Sequence, residues 1–119
     1  MRGSIAMIKI TIFVVRKADL TFEEFDSYWR EKHAPLLKSV TEFSRHVRKY
    51  VQSHLKSTDV PIAQGSGYDG LAELWFDSVE SLNTAFNEPR YLEVIRPDEL
   101  KFADLDRCLS IICEESQII

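Results

Sequence analysis

Cysteine is scarce in this 119-residue chain: there are two, Cys108 and Cys113. Five residues apart in a stretch that reads as a strand, they point to opposite faces and are poorly placed to pair, and their spacing matches no zinc or redox motif. Glycine and proline number four each, and there is no glycine-rich phosphate loop and no GxSxG, which removes nucleotide-binding and serine-hydrolase readings. The three histidines, His33, His46 and His54, form neither HxH nor HExxH, so no metal is expected, and no motif calls for a cofactor. No apolar run approaches bilayer length and no secretory signal is present, so the expectation is a cytoplasmic protein without membrane contact. A net charge of −4, with one short basic cluster at 45–49, leaves no footprint for nucleic acid.

What the chain does have is an ordinary globular composition, 45% hydrophobic and 29% charged, enough for one self-supporting core. Residues 1–6, MRGSIA, read as a vector-derived leader, which makes 7–119 the expected domain. Residues 7–15 (MIKITIFVV) put β-branched and aromatic residues on both faces of a strand. Thr21-Phe-Glu-Glu24 is a capping box that starts a helix at about Phe22. A second strand is expected over 44–55, then a surface loop over 56–69 carrying Pro61, Gly65, Ser66 and Gly67. GLAELWF (70–76) is the third strand. Asp77-Ser-Val-Glu80 reads as another capping box, before a helix stopped by Pro89. A short helical stretch at 91–95 runs to Pro97, one more turn covers 98–104, and the last strand spans about 106–113.

The order is β-α-β-β-α-β, the split βαβ of an α+β, ferredoxin-like fold with a four-stranded antiparallel sheet. Two main helices cover only one face of that sheet. Strands one and three are apolar on both, so the other face needs a cover, which a homodimer would supply by pairing two sheets. A C-terminal tail folded over the sheet is the alternative.

The chemistry concentrates in YWREKHAPL (28–36). At 100° per residue Phe22, Phe25, Trp29, His33 and Leu36 fall in one stripe. Pro35 cannot donate to Glu31 and must kink or end the helix, opening a gap beside His33. His33 is then either a helix-end cation complementing the dipole or a neutral acid/base in an apolar pocket, and the residues alone weigh the two equally. On strand two, Tyr50, Gln52 and His54 share a face opposite Val47 and Val51. Either set can point inward. Asp104, just before the last strand, is a turn residue or a carboxylate that orients His33. Glu73, beside Trp75, is a buried acid or an edge charge.

"TFEEFDSYWREKHAPLL", "RKYVQSH", "YDGLAELWFDS" and "PDELKFADLDR" together resemble the EthD family, in order and spacing, from Met7 to about Glu115. Tyr28, Trp29, His33 and Pro35 match its YWxxxHxP element. The resemblance implies a dimeric α+β barrel with a ligand site between sheet and helices. It implies His33 as acid/base, with Asp104 matching the aspartate of the family's FxD element. The segment KSVTEFSRH after Leu37 departs from the shorter turn usual there. The family takes its name from alkyl-ether degradation, and relatives include cofactor-free dehydratases, decarboxylases, cyclases and lactone isomerases.

The expected function is therefore a cofactor-independent lyase or isomerase acting on an apolar carbonyl, phenolic or polyketide-like substrate. His33, Asp104, Tyr50 and His54 are the catalytic candidates, and Phe25, Trp29, Gln52, Glu73, Trp75 and Phe102 the substrate-binding ones. A non-catalytic accessory protein for a hydrophobic intermediate, or a cofactor-free monooxygenase, are the rivals.

Overall fold

Thr21 begins the first helix as read: its hydroxyl accepts from the backbone N–H of Glu24 at 3.1 Å, and the Glu24 carboxylate accepts from the N–H of Thr21 at 2.8 Å. The computed structural model describes residues 7–57 and 65–119. The expected leader at 1–6 and Pro61 lie outside the described residues. The element order is β1 (Ile8–Val14), α1 (Phe22–Tyr28), a π-helical turn (Trp29–His33), α2 (Ala34–Ser39), α3 (Thr41–Ser44), β2 (Lys49–His54), β3 (Gly70–Phe76), α4 (Val79–Phe86), a second π-helical turn (Tyr91–Ile95), α5 (Arg96–Phe102) and β4 (Leu109–Glu114). The sheet order is β2-β3-β1-β4, antiparallel throughout. This is the ferredoxin-like α+β fold expected from the strand and helix order.

Alternation decides the faces. Ala72, Leu74 and Phe76 of β3 join the core under the helices, with Phe25, Trp29, Phe43, Tyr91 and Phe102. Leu71, Glu73 and Trp75 therefore point to the other face, as do their β1 partners Phe13, Thr11 and Lys9 and the β4 residues Leu109 and Ile111. Leu109 and Ile111 are 48% and 43% exposed in the single chain.

Neither proline ends its helix. Pro35 and Pro97 each sit in the first turn of a following α segment, where a missing N–H costs little. The departure from α geometry comes just before. Ala34 donates five residues back to the carbonyl of Trp29, and Arg96 does the same to Tyr91. A π turn is wider than an α turn. Side chains four apart on an α-helix drift by about 40°, and the wide turn takes that drift back. Phe25, Trp29, His33 and Leu37 thus line up as one buried row, with Leu37 in the place expected for Leu36. The departure from α geometry beside His33 is this turn, which ends just before Pro35.

Other boundaries move for local reasons. Residues 44–48 are not strand: Ser44 and Arg45 donate to Val40 and Thr41 and complete α3, so β2 begins at Lys49. The second helix is capped by Ser78 with Ser81, not by Asp77, whose carboxylate pairs with Arg48 at 2.9 Å. Residues 96–102 form a single helix through Pro97 rather than a break and a turn. β4 starts at Leu109, after a turn at 104–108.

Gly70 lets the Trp29 indole approach β3. A Cβ there would lie 2.6 Å from the indole and 3.0 Å from the carbonyl of Ser53. Gly70→Ala is expected to destabilise the fold by about 1–3 kcal/mol through overpacking, read as a lower urea midpoint at unchanged slope.

Candidate active site between sheet and helices

A cavity of about 380 Å³ lies between the helix-facing side of the sheet and the two π-turn helices. Ile10, Ile12, Ala72 and Leu74 form its floor, Trp29 and Phe102 its aromatic walls. His33 faces it and is only 4% exposed.

The His33 ring is fixed by an acid on the other helix. Nδ1–H donates to Oδ2 of Asp98 at 2.9 Å. The other oxygen of Asp98 accepts from the Tyr28 hydroxyl at 2.5 Å, with Lys101 Nζ at 3.7 Å. The Phe102 ring packs 4.8 Å from the imidazole. With the proton on Nδ1, Nε2 carries a lone pair. It has no hydrogen-bond partner among the described residues, and no side-chain nitrogen there is both sealed and unpaired. A basic nitrogen is thereby presented to an apolar chamber.

Burial pushes the His33 pKa below its ordinary 6.5, and the bond to Asp98 offsets only part of this. The imidazole is neutral at pH 7. Because the folded protein binds this proton less readily than the unfolded chain, the stability owed to neutral His33 is intact above pH 6.5. It is lost as the pH falls from there toward the lower folded value. Any activity that needs Nε2 as a base should instead fall around the folded value itself, below 6.5. Paired pH titrations of melting temperature and turnover check both.

Tyr50 lines the cavity, and its hydroxyl accepts from Gln52 Nε2 at 2.8 Å. Burial raises its pKa to about 12, against smaller opposing effects of Gln52 and Trp29, so the hydroxyl keeps its proton and acts as a donor. Gln52 also donates to the Trp29 carbonyl at 3.0 Å, which ties β2 to the π turn. The inward set on β2 is therefore Tyr50, Gln52 and His54.

His54 stands apart from the cavity. Its ring lies 4.8 Å from Trp29, and Nδ1 meets Asp26 at 2.5 Å. Phe25 stacks behind Trp29 at 5.4 Å as core. Asp104 closes the turn before β4, where its carbonyl accepts from Arg107 and Cys108, and it lines a separate shallow groove with Lys17 and Asp19. Glu73 and Trp75 face away on the far side of the sheet. Glu73 pairs with Lys9 at 2.9 Å, and Lys49 lies 4.7 Å from the Trp75 ring.

Asp98, the partner of His33, escaped sequence reasoning. It is 5% exposed. An acid in the first turn of a helix usually complements the dipole in solvent, so its type and position gave no sign of burial. Cys108 lines the cavity and Cys113 is exposed, and both are free thiols. Among the described residues no group of three or more His, Cys, Asp or Glu could hold a metal ion, and no helix is long and apolar enough to cross a membrane.

The profile of the EthD domain matches residues 17–106. The chain is 29% identical over 110 residues to the conidial pigment biosynthesis dehydratase EthD of Metarhizium robertsii, covering 85% of this chain and 77% of that protein. Its fold matches an ethyl tert-butyl ether D (EthD) family protein from Bacillus halodurans with a TM-score of 0.69 at 22% identity, over 92% of this chain and 99% of the other. It also matches a dimeric protein of unknown function with a ferredoxin-like fold from Bacteroides fragilis, with a TM-score of 0.66 at 12% identity, over 92% and 96% of the two chains.

Proposed function

This chain belongs to the EthD family, and from that premise we propose that it is a cofactor-independent dehydratase. Its substrate is an apolar hydroxy-carbonyl or phenolic compound of secondary metabolism. The observation that carries the reading is the buried, neutral His33, fixed through Nδ1 by Asp98 and offering Nε2 to a chamber of about 380 Å³. The name of the Metarhizium robertsii relative supplies the reaction class.

In this mechanism Nε2 removes a proton from the carbon next to the carbonyl. Asp98 stabilises the imidazolium that forms. The Tyr50 hydroxyl, itself accepting from Gln52, donates to the enolate oxygen. Electrons returning from the enolate form the C=C bond and break the C–O bond, and the departing β-hydroxyl takes up a proton, so that one water is released. Trp29, Phe102 and the aliphatic floor bind the flat apolar body of the substrate.

A bicyclic probe tests this. Loss of water from 3-hydroxy-1-tetralone gives 1-naphthol, followed by fluorescence. Elimination above the buffer rate supports the reading. Saturable binding of the probe without elimination sinks it and leaves an accessory binding role.

We also propose that the protein works as a homodimer, its exposed sheet face covered by a second copy. Leu109, Ile111, Phe13 and Val51 would meet there, around the Lys9–Glu73 pair. Light scattering should give twice the chain mass. Ile111→Lys, which leaves charges buried and unpaired in that interface, should shift the population to monomer.

A further inference from the structure

Water elimination moves two protons, one off carbon and one onto the departing oxygen, and His33 accounts only for the first. The cavity wall opposite α1 is built by the second π turn and α5. Asp98 and Glu99 are successive residues there, so their side chains diverge by about 100° around the helix. Asp98 takes His33, and Glu99 lines the cavity elsewhere. The Tyr91 hydroxyl lies 2.9 and 3.1 Å from the two Glu99 oxygens, and Oε1 also accepts from Arg96 Nε at 3.0 Å.

Resting on the dehydratase reading above, we propose that Glu99 is the general acid of the reaction, delivering its carboxyl proton to the β-hydroxyl as the C–O bond breaks. The proton on His33 Nε2 and the vacancy on Glu99 are then reset through water. The balance is one C–H and one C–O bond broken, one C=C bond formed and one water released, with no redox change.

Three observations carry this. Elimination needs a second group that trades protons near neutrality, and the other acidic side chains on the wall hold theirs too tightly. Burial raises the Cys108 thiol, Tyr50 rises to about 12, and Tyr91 rises further. Burial also raises Glu99 above the ordinary carboxyl range, with nearby Asp98 adding to it, against the pull of Tyr91 and Arg96. His33 is pushed the other way, so burial disfavours the proton on the base and favours it on the acid, the division of labour expected of such pairs. Finally, Tyr91 and Arg96 are placed to receive the negative charge. Their bonds strengthen when Glu99 becomes an anion, which favours proton release in the transition state.

The test is Glu99→Gln, which keeps the shape of the side chain, assayed on two probes. Hydroxide leaves 3-hydroxy-1-tetralone only with a proton, whereas acetate leaves 3-acetoxy-1-tetralone without one. Expected is a loss of about 10²-fold or more on the hydroxy probe, a loss within about threefold on the acetoxy probe, and loss on both in His33→Ala. Infrared difference spectra of wild type against Glu99→Gln, followed as the pH is lowered, should show a carboxyl band that titrates above the ordinary carboxylate range. An equal effect of Glu99→Gln on both probes, or the absence of that band, overturns the role of Glu99 and leaves the base intact. Wild-type protein that eliminates neither group, or His33→Ala that keeps both activities, overturns the dehydratase reading and the acid with it.

Discussion

Replacing His33 with alanine is expected to lower turnover by about 10²- to 10⁴-fold, the contribution of one positioned acid–base group. That corresponds to about 3–5 kcal/mol of transition-state stabilisation. The loss should fall on kcat, because Trp29 and Phe102 still hold the substrate. The variant removes the ring but leaves the buried Asp98 with Tyr28 and Lys101 as partners, so a lower melting temperature is also expected. Circular dichroism separates the two effects. A folded variant with turnover within threefold of wild type would end the case for His33 as the base. Free imidazole added to the folded variant should restore part of the activity by occupying the emptied space beside Phe102.

The second large effect is expected from Asp98→Asn. The amide is the same size as the carboxylate but cannot balance an imidazolium. If its NH₂ group turns toward His33, it also forces the ring proton onto Nε2 and removes the lone pair from the cavity. A fall of about 10²-fold or more in kcat is expected, with KM little changed, since Asp98 lies behind the histidine. Tyr28→Phe removes one donor to the same carboxylate and should cost much less. Kinetics that rank the two variants in the reverse order would show that Asp98 does not act through His33. Asp98 would then serve the fold alone.

The sequence carried the local features of the fold well and the tertiary ones poorly. The Thr21–Glu24 capping box was legible because every partner lies within three residues. The two faces of β3 were legible because Ala72, Leu74 and Phe76 alternate cleanly with Leu71, Glu73 and Trp75. Which face of β2 turns inward was not legible, because polar and apolar residues occupy both. The choice is made by long-range bonds, from Gln52 to the Trp29 carbonyl and from His54 to Asp26. Trp75 reads as a cavity wall because β3 is apolar on both faces. The packing of Ala72, Leu74 and Phe76 under the helices sends it to the far face, beside Lys9. Asp98 was hidden for the reason already given, and Glu99 with it. Nothing local distinguishes an acid that meets a histidine 65 residues away from one that meets water.

A π turn amounts to one extra residue inserted into an α-helix. This protein has two, at Trp29–His33 and Tyr91–Ile95, one in each helix that frames the cavity. Removing a single residue from either would rewind everything beyond it by about 100°. In the first helix that would turn Leu37 and the rest of the row off the cavity. In the second it would swing Asp98 away from His33 and Glu99 away from Tyr91. A relative with a single-residue gap at either place is therefore expected to keep the fold and lose this site, even where it keeps the histidine.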